Sequence, residues 1–270
     1  MDQLSIIVPC YNEEQTVELF YTEVEKMVQY MPDIQTDYLF VDDGSTDRTL
    51  EKVKELHVRD KRVKYISFSR NFGKEAAMYA GLEHVSGEYA VIMDADLQDP
   101  PMLLPEMLRI IREEQYDSVA TRRVTRKGEP PIRSFCARQF YHIMNKISDV
   151  ELMDGARDYR FMTRKYVNAV LSLKEFNRFS KGIFGWVGFR TKWLSYHNVE
   201  RAAGETKWSF GKLLRYSLDG IMGFSTLPLS LSSYGGIFFC GAAFLTILFL
   251  VVRYLIWHDP VQGWTTLMCA

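Results

Sequence analysis

Two carboxylates, Asp94 and Asp96, stand one residue apart directly after the apolar run 89–93. Such a run is typical of a buried strand, so the pair falls at a strand's carboxyl end, where open α/β sheets bind their ligands. Two acids this close repel each other, and a hard divalent cation relieves the repulsion. The spacing therefore predicts a cation site, together with a ligand that the cation holds in place.

Two further polar loops follow predicted strands. Pro9–Glu13 comes after the strand 4–9, and Asp42–Ser45 comes after the strand 37–41. A lone Asp-Asp-Gly-Ser is usually only a turn, but three acid-bearing loops at the same edge of a parallel sheet form a stronger pattern. Acids, a metal and helix amino termini at that edge suit a nucleoside diphosphate.

The elements that must position these loops alternate strand and helix as far as Thr121. Strands are predicted at 4–9, 37–41, 63–68, 89–93 and 118–121, and helices at 13–30, 46–57, 73–85 and 100–114. The alternation predicts an α/β fold with a doubly wound, mostly parallel sheet. Past Thr121 we expect a basic loop, a helix, the polar segment 154–160 followed by a helix of about two turns, and a further strand at 189–196.

The carboxyl-terminal part of the chain is apolar. Residues 220–252 contain no charged residue, and 231–252 supply the roughly 20 apolar residues that a membrane-spanning helix needs. A buried core helix is the alternative. A second apolar run begins near 264 and is cut off at Ala270, so we expect a truncated hairpin of two spans in a multi-pass protein of the cell membrane.

Residues 201–228 mix basic side chains with aromatic residues and leucines, a pattern typical of an amphipathic helix on a membrane surface. A soluble packing helix is the alternative. The chain is therefore predicted to comprise a catalytic domain at 1–200, an interface segment at 201–228 and a membrane region at 229–270. Lysines and arginines precede the first span more often than they follow it, which favours a cytoplasmic catalytic domain.

Composition excludes several other functions. The net charge is −1, so no global charge favours nucleic acid. The four cysteines are scattered, as in a reducing compartment, and predict no disulfide framework. The histidines show no zinc spacing, and no Gly-x-x-x-x-Gly-Lys-Ser/Thr phosphate loop is present.

Taken together, the motifs Pro9–Glu13, Asp42–Ser45 and Asp94–Pro101 resemble the signature set of family 2 glycosyltransferases, which have the GT-A fold. Ser69–Glu75 and Ala203–Ser209 resemble the polyprenyl-phosphate branch of that family, which includes bactoprenol glucosyltransferases and dolichol-phosphate mannosyltransferases. The resemblance covers essentially the whole chain. The Gln-x-x-Arg-Trp motif of processive synthases is absent from the sequence, which favours transfer of a single sugar.

The resemblance implies an inverting transfer from a nucleotide sugar, a UDP-linked one such as UDP-glucose, with Mg²⁺ or Mn²⁺ as cofactor. The residues implied for binding the nucleotide sugar are Pro9, Tyr11, Glu13, Asp42, Asp43, Arg70, Lys74, Asp94 and Ala95. Asp96 is implied as the metal ligand together with Asp94. Gln98 is expected beside the donor sugar, and Asp96, Gln98 and Asp158 form the expected catalytic group.

The implied acceptor is a lipid phosphate such as undecaprenyl phosphate, close to a dianion at neutral pH. Arginine offers a planar fork to phosphate oxygens. The basic residues expected to receive the phosphate are Arg122, Arg138, Arg201 and Lys207. An ordinary solvated basic loop is the alternative for each of them.

Asp158 matches a position that the family uses as acid/base catalyst or as substrate orienter. A phosphate acceptor is already anionic and needs no strong base, so we favour orientation; a helix cap or a partner of Arg160 is the alternative. Rival functions are transfer to diacylglycerol, a non-catalytic nucleotide-sugar-binding membrane protein, and a nucleotidyltransferase. The pattern names no sugar, and related membrane hairpins allow a homo-oligomer.

Overall fold

The computed structural model describes residues 2–124, 131–148, 150, 152–175, 177–197 and 210–257, with the backbone alone for 131–138, 210, 212–215 and 257. Seven strands form one sheet in the order β3-β2-β1-β4-β6-β5-β7. The strands are β1 (Asp2–Cys10), β2 (Ile34–Asp42), β3 (Val63–Ser67), β4 (Tyr89–Ile92), β5 (Ser118–Arg123), β6 (Ala156–Thr163) and β7 (Thr191–Tyr196).

The helices alternate with the strands in the first half of the chain and cluster in the second half. They are α1 (Val17–Val28), α2 (Thr49–Arg59), α3 (Lys74–His84), α4 (Leu104–Glu114), α5 (Pro131–Ile147), α6 (Arg164–Ser172), α7 (Ser180–Trp186), α8 (Phe210–Phe224) and α9 (Leu227–Trp257). A short 3₁₀ turn at Pro101–Leu103 precedes α4.

The predicted α/β fold with a mostly parallel sheet is confirmed. β1 pairs in parallel with both β2 and β4, and β2 pairs in parallel with β3. The chain therefore leaves β1 toward one edge of the sheet and then returns to the other side of β1 at β4. Ligands in such sheets bind outside the carboxyl ends of the strands at this reversal.

Two hydrophobic layers cover the faces of the sheet, because successive side chains of a strand point to opposite faces. On β1, Leu4, Ile6 and Val8 belong to the layer that includes α1 and α4, whereas Ile7 belongs to the layer beneath α3, α6 and α7. In α3, Gly81 packs directly on the Ile7 side chain, where a Cβ atom would collide. This close approach seats α3, and Lys74 at its start, against the sheet.

One strand was not predicted. β6 lies between β4 and β5 and is antiparallel to both. The polar side chains Arg157, Asp158 and Arg160 interrupt the apolar alternation that identifies a strand, although Tyr159 and Phe161 are fully buried. This strand places Asp158 next to the parallel half of the sheet.

The chain divides into two compact units at Phe224. Within the first unit, Tyr216, Ile221 and Phe224 of α8 pack in a hydrophobic cluster around Phe179, whereas Leu218 and Met222 are exposed. This two-sided helix has the pattern expected for the interface segment, although location at a membrane stays a prediction, as do the predicted domain boundaries.

In the second unit, α9 contains a segment, Leu227–Ile256, that is long and apolar enough to span a membrane, with a mean hydropathy of 2.5. Its 30 residues would extend about 45 Å at 1.5 Å per residue, which exceeds the roughly 30 Å hydrocarbon core. The expected first span at 231–252 falls inside it. The expected second span near 264 lies outside the described residues.

Candidate active site

The structure brings the three acid-bearing loops to one edge of the sheet. Cys10 at the end of β1 stands opposite Asp42 at the end of β2. Ile92 at the end of β4 stands opposite Ile7, and the Met93 amide donates to the Ile7 carbonyl at 3.0 Å. The acids that follow β2 and β4 therefore flank the loop that follows β1, as the sequence predicts.

Asp42 and Asn12 tie two of these loops together. The buried Asp42 carboxylate accepts hydrogen bonds from the Ser45 amide and the Ser67 hydroxyl, both at 3.1 Å. Asn12 has a left-handed backbone with φ of 54°, and its Oδ1 accepts from the Thr46 amide at 2.8 Å. These hydrogen bonds use the polar groups around the turn, so in this conformation Asp42 stabilises the backbone beside the site.

Asp43 builds the loop that leads into α3. Its carboxylate accepts hydrogen bonds from the Phe72 amide at 2.7 Å and the Gly73 amide at 2.9 Å. Burial raises the pKa of Asp43, and the two amide donors oppose that shift. Gly44 has φ of +68°, and a Cβ atom there would collide with the Arg70 backbone. The Asp-Asp-Gly turn thus positions the start of α3.

Lys74, the first residue of α3, lies between two acids. Its Nζ is 2.6 Å from Asp94 Oδ1 and 2.5 Å from Asp158 Oδ2, while Arg157 Nη2 is 3.9 Å from Asp94 Oδ2. Burial alone would lower the pKa of Lys74, but Asp158 and Asp94 hold it well above its ordinary value. Conversely, burial would raise the pKa of Asp158, but Lys74, Lys181 and Arg157 hold it well below.

Asp158 retains an unused oxygen. Its Oδ1 is buried and accepts no hydrogen bond from the part of the chain that the structure describes. A buried polar atom without a partner is costly, so such an atom at a site is a candidate to meet a ligand. Asp158 therefore has an oxygen available to a ligand, and the orienting role favoured from the sequence stays a prediction.

The Asp96 loop has an unusual backbone. Leu97 adopts a left-handed conformation with φ of 58° and packs its side chain on the core, while Ala95 is buried. Asp96 is buried, and its Oδ1 accepts from the Gln98 amide at 3.1 Å. A bulky residue rarely adopts this conformation. Here it accompanies the hydrogen bond that holds the Asp96 carboxylate against the Gln98 amide.

The Asp96 carboxylate fits a magnesium or manganese ion that a substrate helps to hold. No group of three or more His, Cys, Asp and Glu side chains is placed to hold a metal within the described ranges. Mg²⁺ is typically bound by one or two carboxylates with substrate phosphates completing its oxygen shell. Asp96, with Asp94 beside it, provides this kind of donor set.

The remaining predicted nucleotide contacts of the β1 loop are accessible. Pro9, Tyr11 and Glu13 are all half-buried at the carboxyl end of β1. Arg70 is exposed, and its guanidinium stacks 4.0 Å from the centre of the Phe72 ring. All four side chains are therefore accessible at this edge of the sheet, and their roles in binding the nucleoside stay predictions.

Of the predicted acceptor residues, the structure describes the side chain of Arg122 alone. Its Nε donates to Ser195 Oγ at 2.8 Å, and its Nη1 approaches the Met153 sulfur at 3.4 Å. Those outside the description are the Arg138 side chain and residues Arg201 and Lys207.

Two acids near this site had no role in the sequence analysis. The buried Asp99 accepts from the Tyr196 hydroxyl at 3.0 Å and from Arg157 Nε at 3.3 Å. Burial raises the pKa of Asp99, and Arg157 opposes the shift. Asp99 belongs to the Asp94–Pro101 motif, so the motif itself is the signal that could have identified it.

Glu75 is the second of these acids. Its carboxylate accepts hydrogen bonds from the Tyr216 hydroxyl at 2.8 Å and from both the amide and the hydroxyl of Ser180. Burial and the nearby Asp158 raise the pKa of Glu75. Glu75 therefore ties the start of α3 to α7 and α8, contacts that spacing along the sequence does not reveal.

Comparison with known proteins is consistent with this geometry. The family model described as glycosyl transferase family 2 matches residues 5–171. A Bacillus subtilis (strain 168) protein named as a glycosyltransferase, CsbB, is 45% identical over 99% of this chain and 80% of its own length. The bactoprenol glucosyl transferase of Shigella phage SfV is 36% identical over 98% of this chain and 86% of its own.

Solved structures share the fold. Mannosyl-3-phosphoglycerate synthase from Rubrobacter xylanophilus superposes with a TM-score of 0.55 at 16% identity, covering 87% of this chain and 75% of that one. Glucosyl-3-phosphoglycerate synthase from Mycobacterium tuberculosis, in complex with Mn²⁺, UDP-glucose and phosphoglyceric acid, gives 0.53 at 19% identity, covering 82% and 77%.

Proposed function

The chain belongs to glycosyl transferase family 2, and we propose that it moves one sugar from a nucleotide sugar to a polyprenyl phosphate. The observation that carries the proposal is the likeness to a bactoprenol glucosyl transferase over 98% of the chain. The proposed donor is UDP-linked, such as UDP-glucose, and the proposed lipid is undecaprenyl phosphate. The product is the polyprenyl-phosphate sugar.

In the proposed reaction, a phosphate oxygen of the acceptor attacks the anomeric carbon of the donor sugar. The bond from that carbon to the diphosphate oxygen breaks, its electron pair leaves with UDP, and the configuration inverts. Lys74 would hold Asp94 and Asp158 in place while the charges move, because its ammonium bonds to both carboxylates. Gln98 and Asp158 would orient the sugar hydroxyls.

Asp96, with Asp94, would hold Mg²⁺ or Mn²⁺ together with the donor diphosphate. When bound, such an ion acts as a Lewis acid that offsets charge on the departing diphosphate. Pro9, Tyr11, Glu13, Asp43 and Arg70 stay proposed contacts of the nucleoside diphosphate. The basic residues proposed for the lipid phosphate remain Arg122, Arg138, Arg201 and Lys207.

The charge state of Asp158 favours a phosphate acceptor over diacylglycerol. A neutral hydroxyl needs a general base with a pKa near the working pH. Lys74, Lys181 and Arg157 hold the pKa of Asp158 well below its ordinary value despite its burial, which makes it a weak base. A phosphate oxygen is already anionic and needs no base. In an acceptor screen we therefore expect product with the polyprenyl phosphate and none with diacylglycerol.

The proposed enzyme is held at the cell membrane by α9, with the amino-terminal unit in the cytoplasm. The long apolar segment of α9 supports membrane attachment, and the basic residues before it support the orientation. The second span and the homo-oligomer inferred from the resemblance remain part of the proposal. Protease protection of the amino-terminal unit in sealed inside-out and right-side-out vesicles would test the orientation.

The function is tested by incubating the detergent-solubilised protein with labelled UDP-glucose, undecaprenyl phosphate and Mg²⁺ or Mn²⁺. We expect label in the organic phase and a product with the mass of the lipid-phosphate hexose. Absence of a lipid-linked product across a panel of UDP- and GDP-sugars would contradict the proposal.

The metal role of Asp96 is tested in the same assay. We expect Asp96→Asn to reduce kcat at least about a hundredfold, because a ligand of the ion beside the departing diphosphate is lost. The measurement is initial rate against Mn²⁺ concentration, with the exposed Asp33→Asn as the control. Normal turnover of Asp96→Asn at saturating metal would rule out the ligand role.

A further inference from the structure

A cavity of about 230 Å³ lies between β6, β7 and α7. Arg157, Arg160 and Lys181 line it together with the aromatic side chains of Phe184 and Trp193. The reaction proposed above assigns no ligand to the cavity and no role to Arg160, and it uses Lys181 only as one of the charges that lower the pKa of Asp158.

Arg160 brings a buried positive charge that has no carboxylate partner among the described residues. Its side chain is only 3% exposed, and its Nη1 donates to two neutral groups, Ser118 Oγ at 3.2 Å and the Tyr166 hydroxyl at 3.0 Å. Its Nε is buried and bonds to none of the residues described. The guanidinium lies 4.6 Å from the Phe184 ring centre and 5.4 Å from that of Trp193, so aromatic faces fix its position.

Lys181 is a second cation that has no ion-pair partner among the described residues. Over the described parts of the chain, its Nζ finds the Tyr141 hydroxyl at 3.3 Å and no carboxylate at ion-pair distance. Asp158 is close enough to raise the pKa of Lys181 but spends its Oδ2 on Lys74. Buried charges are stable when they are paired, so the cavity has the chemistry of a site for an anion.

We propose that this cavity holds the phosphate group of the lipid acceptor, with Lys181 and Arg157 as its ligands. The inference rests on the proposed function and adds where the phosphate group of the acceptor binds. Arg160, held against the Phe184 and Trp193 rings, supplies a fixed positive charge behind the phosphate.

The position of the cavity favours the acceptor over the donor. Arg157 lies 3.9 Å from Asp94 and bonds to Asp99, so the cavity adjoins the acids of the site. Met153, whose sulfur is approached by Arg122, also lines the cavity. A phosphate there would lie near Met153, which the predicted acceptor residue Arg122 contacts, and two of the cavity's cations, Lys181 and Arg157, are close enough to Asp158 to lower its pKa.

The test compares Lys181→Gln and Lys181→Arg with the unaltered full-length protein in detergent. We expect Lys181→Gln to raise KM for undecaprenyl phosphate about tenfold or more, because a charge-assisted hydrogen bond to the phosphate is lost. Lys181→Arg should restore part of the difference, and the Kd of UDP by calorimetry should not change. The control is Lys165→Gln, a lysine on α6 whose side chain is 71% exposed.

Two results with the variants would overturn the inference. An unchanged KM for the lipid in Lys181→Gln removes Lys181 from the acceptor site, and a parallel loss of UDP affinity assigns the cavity to the donor diphosphate. If the unaltered protein forms no lipid-linked product, the proposed function fails first. Calorimetry with farnesyl phosphate, farnesol and inorganic phosphate then decides: farnesyl phosphate binding that Lys181→Gln abolishes supports the cavity, and equal binding of inorganic phosphate reduces it to a free-anion site.

Discussion

Lys74 joins two acids on which the proposed transfer depends. Its Nζ contacts both Asp94 and Asp158 within 2.6 Å, and all three side chains are largely buried. Removing one member of a buried ion pair is costly because the other member keeps its charge without compensation. Lys74 is therefore a structural centre of the site and, of the positive charges that lower the pKa of Asp158, the one with the largest effect.

Replacing Lys74 with methionine should change how activity depends on pH. Burial raises the pKa of Asp158 and Lys74 lowers it, so removing Lys74 moves that pKa upward. In the native protein Asp158 stays ionised across neutral pH, and any stability from its lowered pKa is present above about 3.9 and lost on further acidification. In Lys74→Met the acidic limb of kcat/KM should move toward neutral pH.

The measurement is kcat/KM between pH 5 and 9 for Lys74→Met, Lys74→Arg and Lys64→Met. Lys64 is an exposed lysine paired with Asp37 and serves as the matched control. We expect at least about a hundredfold loss for Lys74→Met and a native pH profile for Lys64→Met. An acidic limb in Lys74→Met that coincides with the native one would show that Lys74 does not set the pKa of Asp158.

For individual residues, the sequence predicted which side chains lie at the site better than it predicted which of them bond to each other. The Asp94 and Asp96 pair was correctly located at the end of β4, and the sequence also indicated Lys74 and Asp158. It could not show that Lys74 bonds to both acids, because those contacts span 20 and 84 residues. In the fold, Lys74 offsets part of the negative charge of Asp94, and the metal role of Asp94 stays a prediction.

At the scale of secondary-structure elements, the loop between β3 and α3 determines the site. Asp43 bonds to the Phe72 and Gly73 amides of this loop, and Gly44 lies directly against its backbone. The turn after β2 and the start of α3 therefore form one packed unit. A change in the turn should move Lys74 although it touches neither substrate.

Gly44→Ala should destabilise the protein more than Gly73→Ala does. Both glycines have positive φ, of 68° and 98°, but a Cβ atom collides with the Arg70 backbone at Gly44 and meets nothing within 4 Å at Gly73. Strain alone costs about 1–3 kcal/mol, and the collision adds to it at Gly44. Thermal unfolding in detergent measures the difference, and equal losses of Tm would contradict the packing.

The same scale shows where the sequence pattern failed. The parallel strands were predicted because their apolar runs are continuous, as expected for strands buried on both faces. β6 was missed because Arg157, Asp158 and Arg160 stand in its sequence, and two of these charges, those of Arg157 and Asp158, are offset by partners from other elements. Those partners are Asp99, in the loop after β4, and Lys74, at the start of α3. Both are distant from β6 in the sequence.

At the scale of the whole molecule, the chain combines a GT-A unit that ends at Phe224 with one long apolar helix. The sequence was sufficient to predict an apolar helix here, since residues 220–252 contain no charged residue, whereas the predicted domain boundaries stay predictions. The interface segment was predicted from pattern alone, and α8 carries the exposed Leu218 and Met222 that such a segment requires. A lipid acceptor explains why an enzyme with this fold would keep such a helix.

If α9 spans the membrane, the cost of a charge depends on its depth. Phe244 lies near the middle of the segment Leu227–Ile256 and Leu229 near its start, and both side chains are exposed. An arginine at the centre of a membrane helix costs about 3 kcal/mol, whereas one near the end can extend its charge to the interface. Phe244→Arg should therefore reduce membrane insertion, and Leu229→Arg should leave it nearly unchanged. The measurement is the fraction of protein that resists carbonate extraction from membranes, with lipid-linked product followed in parallel. Equal extraction of the two variants would mean that α9 does not cross the bilayer.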